Sequence, residues 1–313
     1  MEAGADGAGT WEPPELSGRV ALVTGATRGV GRGIALALGD AGATVYVTGR
    51  SSRGGERTEG LPGTVEDTAE EVGERGGTGI GVRCDSFADA EVEALFARIE
   101  SESGRLDLLV NNAWSGYQRG EDAPFDAPFW RQPTWRWDLF AASLRGQFVA
   151  SRLAAAAMTE RRRGLIVNVG FTDGEVPLGQ VAYDVVKNAS DRMVVSMAKE
   201  MARRQVQAIA VHPGFVRTER VEAAWDLLGE GPAQVVHSPE YVGRAIAHLF
   251  ADPELPELSG QGLAVGELAE RYGFTDVDGR RPPAFRLEGR ITLAARMERL
   301  NRVVARAAAE GER

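Results

Sequence analysis

From Arg19 onward, short apolar runs alternate with longer stretches in which apolar positions recur every three or four residues. The runs at Val20–Thr24, Thr44–Thr48, Gly79–Arg83, Leu108–Asn111, Leu165–Val169, Gln207–Val211 and Gly262–Val265 read as strands. Helical periodicity falls between them, near Gly31–Gly39, Val65–Arg75, Asp89–Glu102, Thr134–Glu160, Val181–Arg203 and Pro239–Ala251. Strand and helix in strict alternation argue for βαβ units, and hence for a parallel sheet with helices on both faces. The pattern predicts an α/β fold with a doubly wound seven-stranded sheet. In such a sheet ligands gather beyond the carboxyl ends of the strands, so chemistry is sought there.

The first strand end carries the clearest chemistry. Val20-Ala21-Leu22-Val23 runs into Thr24-Gly25-Ala26-Thr27-Arg28-Gly29-Val30-Gly31, a glycine-spaced turn that opens a helix. Gly25 permits the tight turn, Gly29 lets the backbone approach a diphosphate, and Gly31 lets helix and strand pack closely. The free N–H groups and dipole of the helix then face the phosphates. Three further motifs lie at later strand ends or on a helix: Asn111-Asn112-Ala113, Tyr183-Asp184-Val185-Val186-Lys187, and Pro213-Gly214 followed by Thr218.

In this order the motifs resemble the classical short-chain dehydrogenase/reductases over about residues 15 to 275. A narrower resemblance is to the branch that includes vertebrate dehydrogenase/reductase family member one. It rests on Asn111-Asn112-Ala113-Trp114, Leu144-Arg145-Gly146 and residues 268–279. The resemblance implies a single Rossmann domain over 16–266, preceded by a disordered lead-in over 1–15. An extension over 267–313 would pack on that domain. It also implies cofactor contacts from Gly25, Thr27, Arg28, Gly29, Val30, Gly31, Arg50, Asp85, Asn112, Ala113, Tyr183, Lys187, Pro213, Gly214, Val216 and Thr218. Asp85 would meet the adenine, Asn111 the ribose side, and Thr218 the nicotinamide end or phosphates.

Composition narrows the partners. With 313 residues, 43% hydrophobic, the chain can bury one large core, and a formal charge of −9 leaves no overall basic field for nucleic acid. Arg161-Arg162-Arg163 reads as a solvated helix end. The single cysteine, Cys84, excludes an intrachain disulfide and reads as a small buried apolar residue. His212, His237 and His248 lack metal-ligand spacing, so no metal is expected. The N-terminus lacks a signal-peptide pattern and no apolar stretch is long enough to span a bilayer, so a cytoplasmic location is expected.

The residue after the second strand bears on the cofactor. Val47-Thr48-Gly49-Arg50 has no carboxylate to hold both adenosine ribose hydroxyls. Arg50 there, with Arg28 from the glycine turn, suits a 2′-phosphate through charge-assisted bonds, so NADP(H) is expected; an exposed surface charge is the alternative for either arginine.

Tyr183 and Lys187 stand four apart on one helix and so share a face. An ammonium beside a phenol favours the phenolate, which equips the tyrosine to exchange a proton with a carbonyl oxygen. The family pattern also has a serine 12 or 13 residues before the tyrosine, where this chain has Phe171 and Gly170; only Thr172, one place later, offers a hydroxyl. Where the family has a relay asparagine, this chain has Ser143. The implied activity is NADP-dependent hydride transfer on a small-molecule carbonyl or alcohol (EC 1.1.1.-), moderately large and hydrophobic to judge by the aromatic loop. Two alternatives stay open: non-redox or specialised biosynthetic chemistry on the same fold, and a catalytically weak NADP-binding sensor or partner.

Three segments depart from the regular spacing. Ser115 to Arg136, rich in aromatic residues and prolines, either walls a substrate pocket or caps the fold. Arg217 to His237 stands where the family carries a mobile helix, and residues 229–232 suit a hinge. Ile291 to Ala309 reads as an amphipathic helix that packs on its own subunit or associates with a membrane surface. By resemblance, the helices at 134–160 and 181–203 pair between subunits of a homodimer or homotetramer.

Overall fold

In the computed structural model the described residues are 11–116, 123–125, 127–171, 176–223 and 234–286. The chain runs β1 (Val20–Val23), α1 (Gly29–Asp40), β2 (Thr44–Gly49), α2 (Val65–Glu74), β3 (Thr78–Arg83), α3 (Asp89–Ser103) and β4 (Leu108–Asn111). It continues through α4 (Thr134–Arg161), β5 (Gly164–Val169), α5 (Val181–Met201) and β6 (Val206–His212). Next come α6 (Glu219–Glu222), α7 (Pro239–Ala251), α8 (Leu255–Leu258), β7 (Gly262–Ala264) and α9 (Val265–Tyr272).

All seven strands are parallel, in the order β3-β2-β1-β4-β5-β6-β7. This is the doubly wound Rossmann arrangement expected from the hydrophobic pattern. Strand β1, a continuous apolar run, is buried on both faces, as a central parallel strand must be. One core layer packs Ile34 and Leu38 of α1 and Val242 and Ile246 of α7 against Val23, Val110 and Val167. The other packs Ile99 of α3, Ala154 and Met158 of α4 and Val194 of α5 against Leu22, Leu109 and Ile166. The order reverses between β1 and β4, which places the switch-point crevice at the end of β1.

The contact of α1 with α7 has no spare room. A Cβ on Gly243 would sit 2.4 Å from the Gly33 carbonyl oxygen, and one on Gly33 would sit 2.3 Å from the Pro239 carbonyl carbon. Both glycines are needed for close approach of two backbones.

Several boundaries differ from expectation. Helix α1 begins at Gly29, two residues earlier than expected, with Gly29 itself at a positive φ of 54°. The last strand stops at Ala264, and α9 takes over with Val265, Leu268 and Ala269 buried. That three-to-four spacing is an amphipathic signal which the motif at 268–279 obscured. The expected boundary at 266/267 therefore falls inside a helix. Helices α6 and α8 are single turns, too short to give a period.

Within the expected lead-in, Trp11 donates its indole N–H to His248 Nε2 at 3.2 Å and lies under the Arg244 guanidinium. After α9 the chain returns over α7: Arg244 donates to the Thr275 carbonyl at 2.6 Å and Tyr241 to the Pro282 carbonyl at 3.0 Å. Residues 1–10, Tyr117, Thr172, the stretch 229–232 and the helix expected at 291–309 lie outside the described residues. Among the described residues no helix is long and apolar enough to cross a membrane.

Gly243→Ala is expected to lower stability by about 1–3 kcal/mol, because the added methyl must push α7 away from α1; chemical denaturation with an unchanged m-value checks it.

Candidate active site

The site forms where the ends of β1 and β4 are joined. The Thr24 hydroxyl accepts from the backbone N–H groups of Asn112 and Ala113 at 2.9 and 3.0 Å. Asn112 returns two bonds, donating its amide to the carbonyls of Thr24 and Gly25 at 3.0 and 3.1 Å. Gly25 adopts φ +64°, and a Cβ there would stand 2.8 Å from Ala113 Cα. Gly31 is packed in the same way, since its Cβ would meet the Gly25 carbonyl oxygen at 2.3 Å.

Beyond these ends lies one cleft. Its wall includes Gly25, Thr27, Arg28, Gly29, Val30, Arg50, Asp85, Asn112, Ala113, Tyr183, Lys187, Pro213, Gly214, Val216 and Thr218. Almost every expected cofactor contact thus converges on one surface. Gly31 lies behind that surface and acts through packing. Ser143 is buried away from it, taking the Ser115 N–H at 3.1 Å and sharing a 2.8 Å hydroxyl contact with Ser115. Asn111 is also turned inward: its amide donates to Ser151 and to the Asn168 side chain, both at 2.9 Å, inside a network between the sheet and α4. Asn111 is therefore off the cleft wall, whereas its neighbours Asn112 and Ala113 line it.

One end of the cleft is cationic. Arg28 donates to the Thr58 carbonyl at 3.0 Å, to Ser51 at 3.2 Å and to the Pro62 carbonyl at 3.2 Å, so the loop after β2 fixes its guanidinium. Arg50 lies in the same wall. The Asp85 carboxylate accepts from the Phe87 N–H at 3.0 Å, which shapes the turn after β3. Burial pushes the Cys84 thiol up to about 12, so it is inert, as a small apolar residue would be.

Helix α1 has no side-chain cap from Arg28 and no acidic residue in its first turn. Its first N–H, on Gly29, instead donates to both Glu219 carboxylate oxygens, at 3.0 and 3.2 Å. Glu219 comes from α6, 190 residues away, and puts an anion where the helix dipole attracts one. The cradle thus fits a phosphate, with the carboxylate as the stand-in.

The other end is aromatic. Gln180 caps α5 by accepting the Tyr183 N–H at 2.5 Å. The Tyr183 ring is ringed by Trp114, Phe125, Phe140 and Phe171 at centroid distances of 5.6, 5.9, 5.9 and 6.3 Å. Of the described part of the Ser115–Arg136 segment, Phe125 packs on Tyr183 behind the cleft wall, held by Arg136, which donates to the Pro124 carbonyl at 2.8 Å, while Phe129 and Trp130 are exposed. Burial lowers the Lys187 pKa to about 8, with the Asp191 carboxylate pulling the other way. Gly170 leaves room for a pair one turn further along α5, where Asp191 Oδ2 lies 2.9 Å from His212 Nε2. No group of three or more His, Cys, Asp or Glu that could hold a metal occurs among the described residues.

Residues 19–227 match the family described as short chain dehydrogenase. The chain belongs to that family. The mouse protein dehydrogenase/reductase SDR family member 1 is 39% identical over 277 residues, 85% of each chain. A metagenomic short-chain oxidoreductase solved in complex with NADP is 27% identical, with a TM-score of 0.63 over 80% of this chain and 96% of that one. A 7α-hydroxysteroid dehydrogenase complexed with NADH and 7-oxo glycochenodeoxycholic acid is 25% identical, with a TM-score of 0.66 over 80% and 93%. As a short-chain dehydrogenase the chain is an oxidoreductase built on a nicotinamide-cofactor fold.

Sequence reasoning missed Glu219, the Trp114–Lys187 contact and the Asp191–His212 pair. Asp191 alone had a local signal, since it continues the four-residue spacing of Tyr183 and Lys187. Glu219→Gln is expected to tighten binding of a pyridine dinucleotide roughly three- to tenfold, because the competing carboxylate charge leaves the α1 N-terminus; isothermal titration checks it.

Proposed function

We propose that the protein is an NADP(H)-dependent carbonyl reductase or alcohol dehydrogenase acting on a moderately large, apolar substrate. The observation that carries this reading is the polarity of the cleft: Arg28 and Arg50 at one end, Tyr183 and Lys187 at the other, and the glycine turn between them. An end of β2 without a carboxylate and with Arg50 supports a 2′-phosphorylated cofactor. The aromatic ring of residues around Tyr183 supports an apolar substrate.

The bound cofactor supplies or receives the hydride. Tyr183 holds the proton that passes to the substrate carbonyl oxygen, and the Lys187 ammonium favours the phenolate left behind. Gly29 and its turn orient the diphosphate, and Trp114 and Phe171 exclude water from the reacting end. The hydroxyl that polarises the carbonyl in the family pattern has no counterpart at Gly170 or Phe171, a loss worth about 10²- to 10³-fold in turnover unless Thr172 takes over. Ser143, bonded to Ser115, contributes through the shape of the loop after β4. Phe148, Val185 and Val195, exposed on α4 and α5, support a homodimer or homotetramer.

The vacant serine position also favours a second reading, in which the fold binds NADP(H) but transfers hydride weakly or not at all. Titration with NADPH, NADH and their oxidised forms, followed by transfer of deuteride from labelled NADPH to a panel of carbonyls, separates the two. Tight NADPH binding with transferred label supports the reductase; binding without transfer supports the second reading. Arg50→Ala is expected to weaken NADPH binding roughly tenfold or more and NADH much less, through loss of a charge-assisted contact; equal losses would remove Arg50 from phosphate recognition.

A further inference from the structure

The chain has 36 basic residues, of which two are lysines: Lys187 in the cleft and the exposed Lys199 on α5. An arginine-rich chain thus retains a lysine beside Tyr183. The Lys187 ammonium lies 4.3 Å from the centroid of the Trp114 ring, within the range of a strong cation–π contact.

The indole is itself immobilised. It stacks on Phe140 at 5.1 Å with 26° between planes, and Tyr183 meets it edge-on at 5.6 Å and 90°. Phe140 is fully buried on α4, so the indole cannot tilt without opening that packing. Trp114 directly follows Ala113, whose N–H is anchored by Thr24. One backbone segment therefore ties the glycine turn to the Tyr183–Lys187 end of the cleft.

We propose that Trp114 is a positioning residue for this site, its indole face carrying the Lys187 ammonium and holding it charged and fixed beside Tyr183. Burial works against that charge, and two groups oppose burial. One is the ring face, and the other is the Asp191 carboxylate one helical turn along α5. Among the described residues the titratable groups around the ammonium are Tyr183 and Asp191, with His212 facing Asp191 from β6. The arrangement stands in a chain with Gly170 and Phe171 at the two candidate serine positions and Ser143 at the asparagine position, where a steady charge beside the phenol matters more. Its catalytic meaning rests on the Tyr183–Lys187 reading above, but the contact is measured without turnover.

The test is the lysine titration itself. Full-length protein labelled with 13Cε-lysine gives two side-chain signals, and exposed Lys199 is the internal reference. Trp114→Leu is expected to lower the Lys187 midpoint by about one pH unit or more and Trp114→Phe by less, with Lys199 unmoved. If Trp114→Leu does not fold, replacement of tryptophan by 5-fluorotryptophan keeps the shape and weakens the π face, and a fall of about a few tenths of a unit is expected. A Lys187 midpoint that stays or rises in the folded variants overturns the proposal.

The pH profile gives a second readout. The ammonium is charged below its midpoint, so kcat/KM for carbonyl reduction falls as pH rises through about 8 in the unaltered protein. In Trp114→Leu the same limb moves to lower pH with the lysine. A lysine that shifts as expected in a protein that transfers no hydride upholds the contact and overturns the reductase reading instead.

Discussion

The site depends on one buried hydroxyl. Thr24 donates toward the Val110 carbonyl at 3.3 Å and accepts the N–H groups of Asn112 and Ala113, so it joins two strands just where the sheet order reverses. A parallel sheet frays at its carboxyl edge, where backbone donors run out of strand partners. Thr24 supplies those partners from within the glycine turn. The separation of Gly25 from Ala113 is then set at backbone contact, and Trp114 follows at a fixed offset.

From that joint the cleft divides by polarity. Arg28 is tethered by its guanidinium to Ser51, Thr58, Leu61 and Pro62 in the loop after β2. Toward α5 the wall is aromatic, and Lys187 sits in surroundings that disfavour its charge. The α1 N-terminus lies between. There the Gly29 N–H holds the Glu219 carboxylate of α6, where the helix dipole favours an anion.

The end of β5 carries no side-chain hydroxyl at Gly170 or Phe171, and the space beside Gly170 is used by Asp191 and His212. Ser143 is consumed by the loop after β4. Tyr183 and Lys187 share a helix face and line the cleft, with aromatic rings packed around the phenol.

Periodicity and local chemistry were enough to establish the seven strands and most of the long helices. They also established the glycine turn, the shared face of Tyr183 and Lys187, and the arginine after β2. Each is a property of residues close in sequence, with 3.6- or 2-residue repeats or tight turns as the physical basis. Tertiary structure alone decided that Asn111 points into the sheet while Asn112 faces the cleft. It also decided that Glu219 reaches Gly29 across 190 residues, that Trp114 lies over Lys187, and that Asp191 meets His212. Those contacts join different strands and helices, and only packing of the whole sheet brings their side chains within reach.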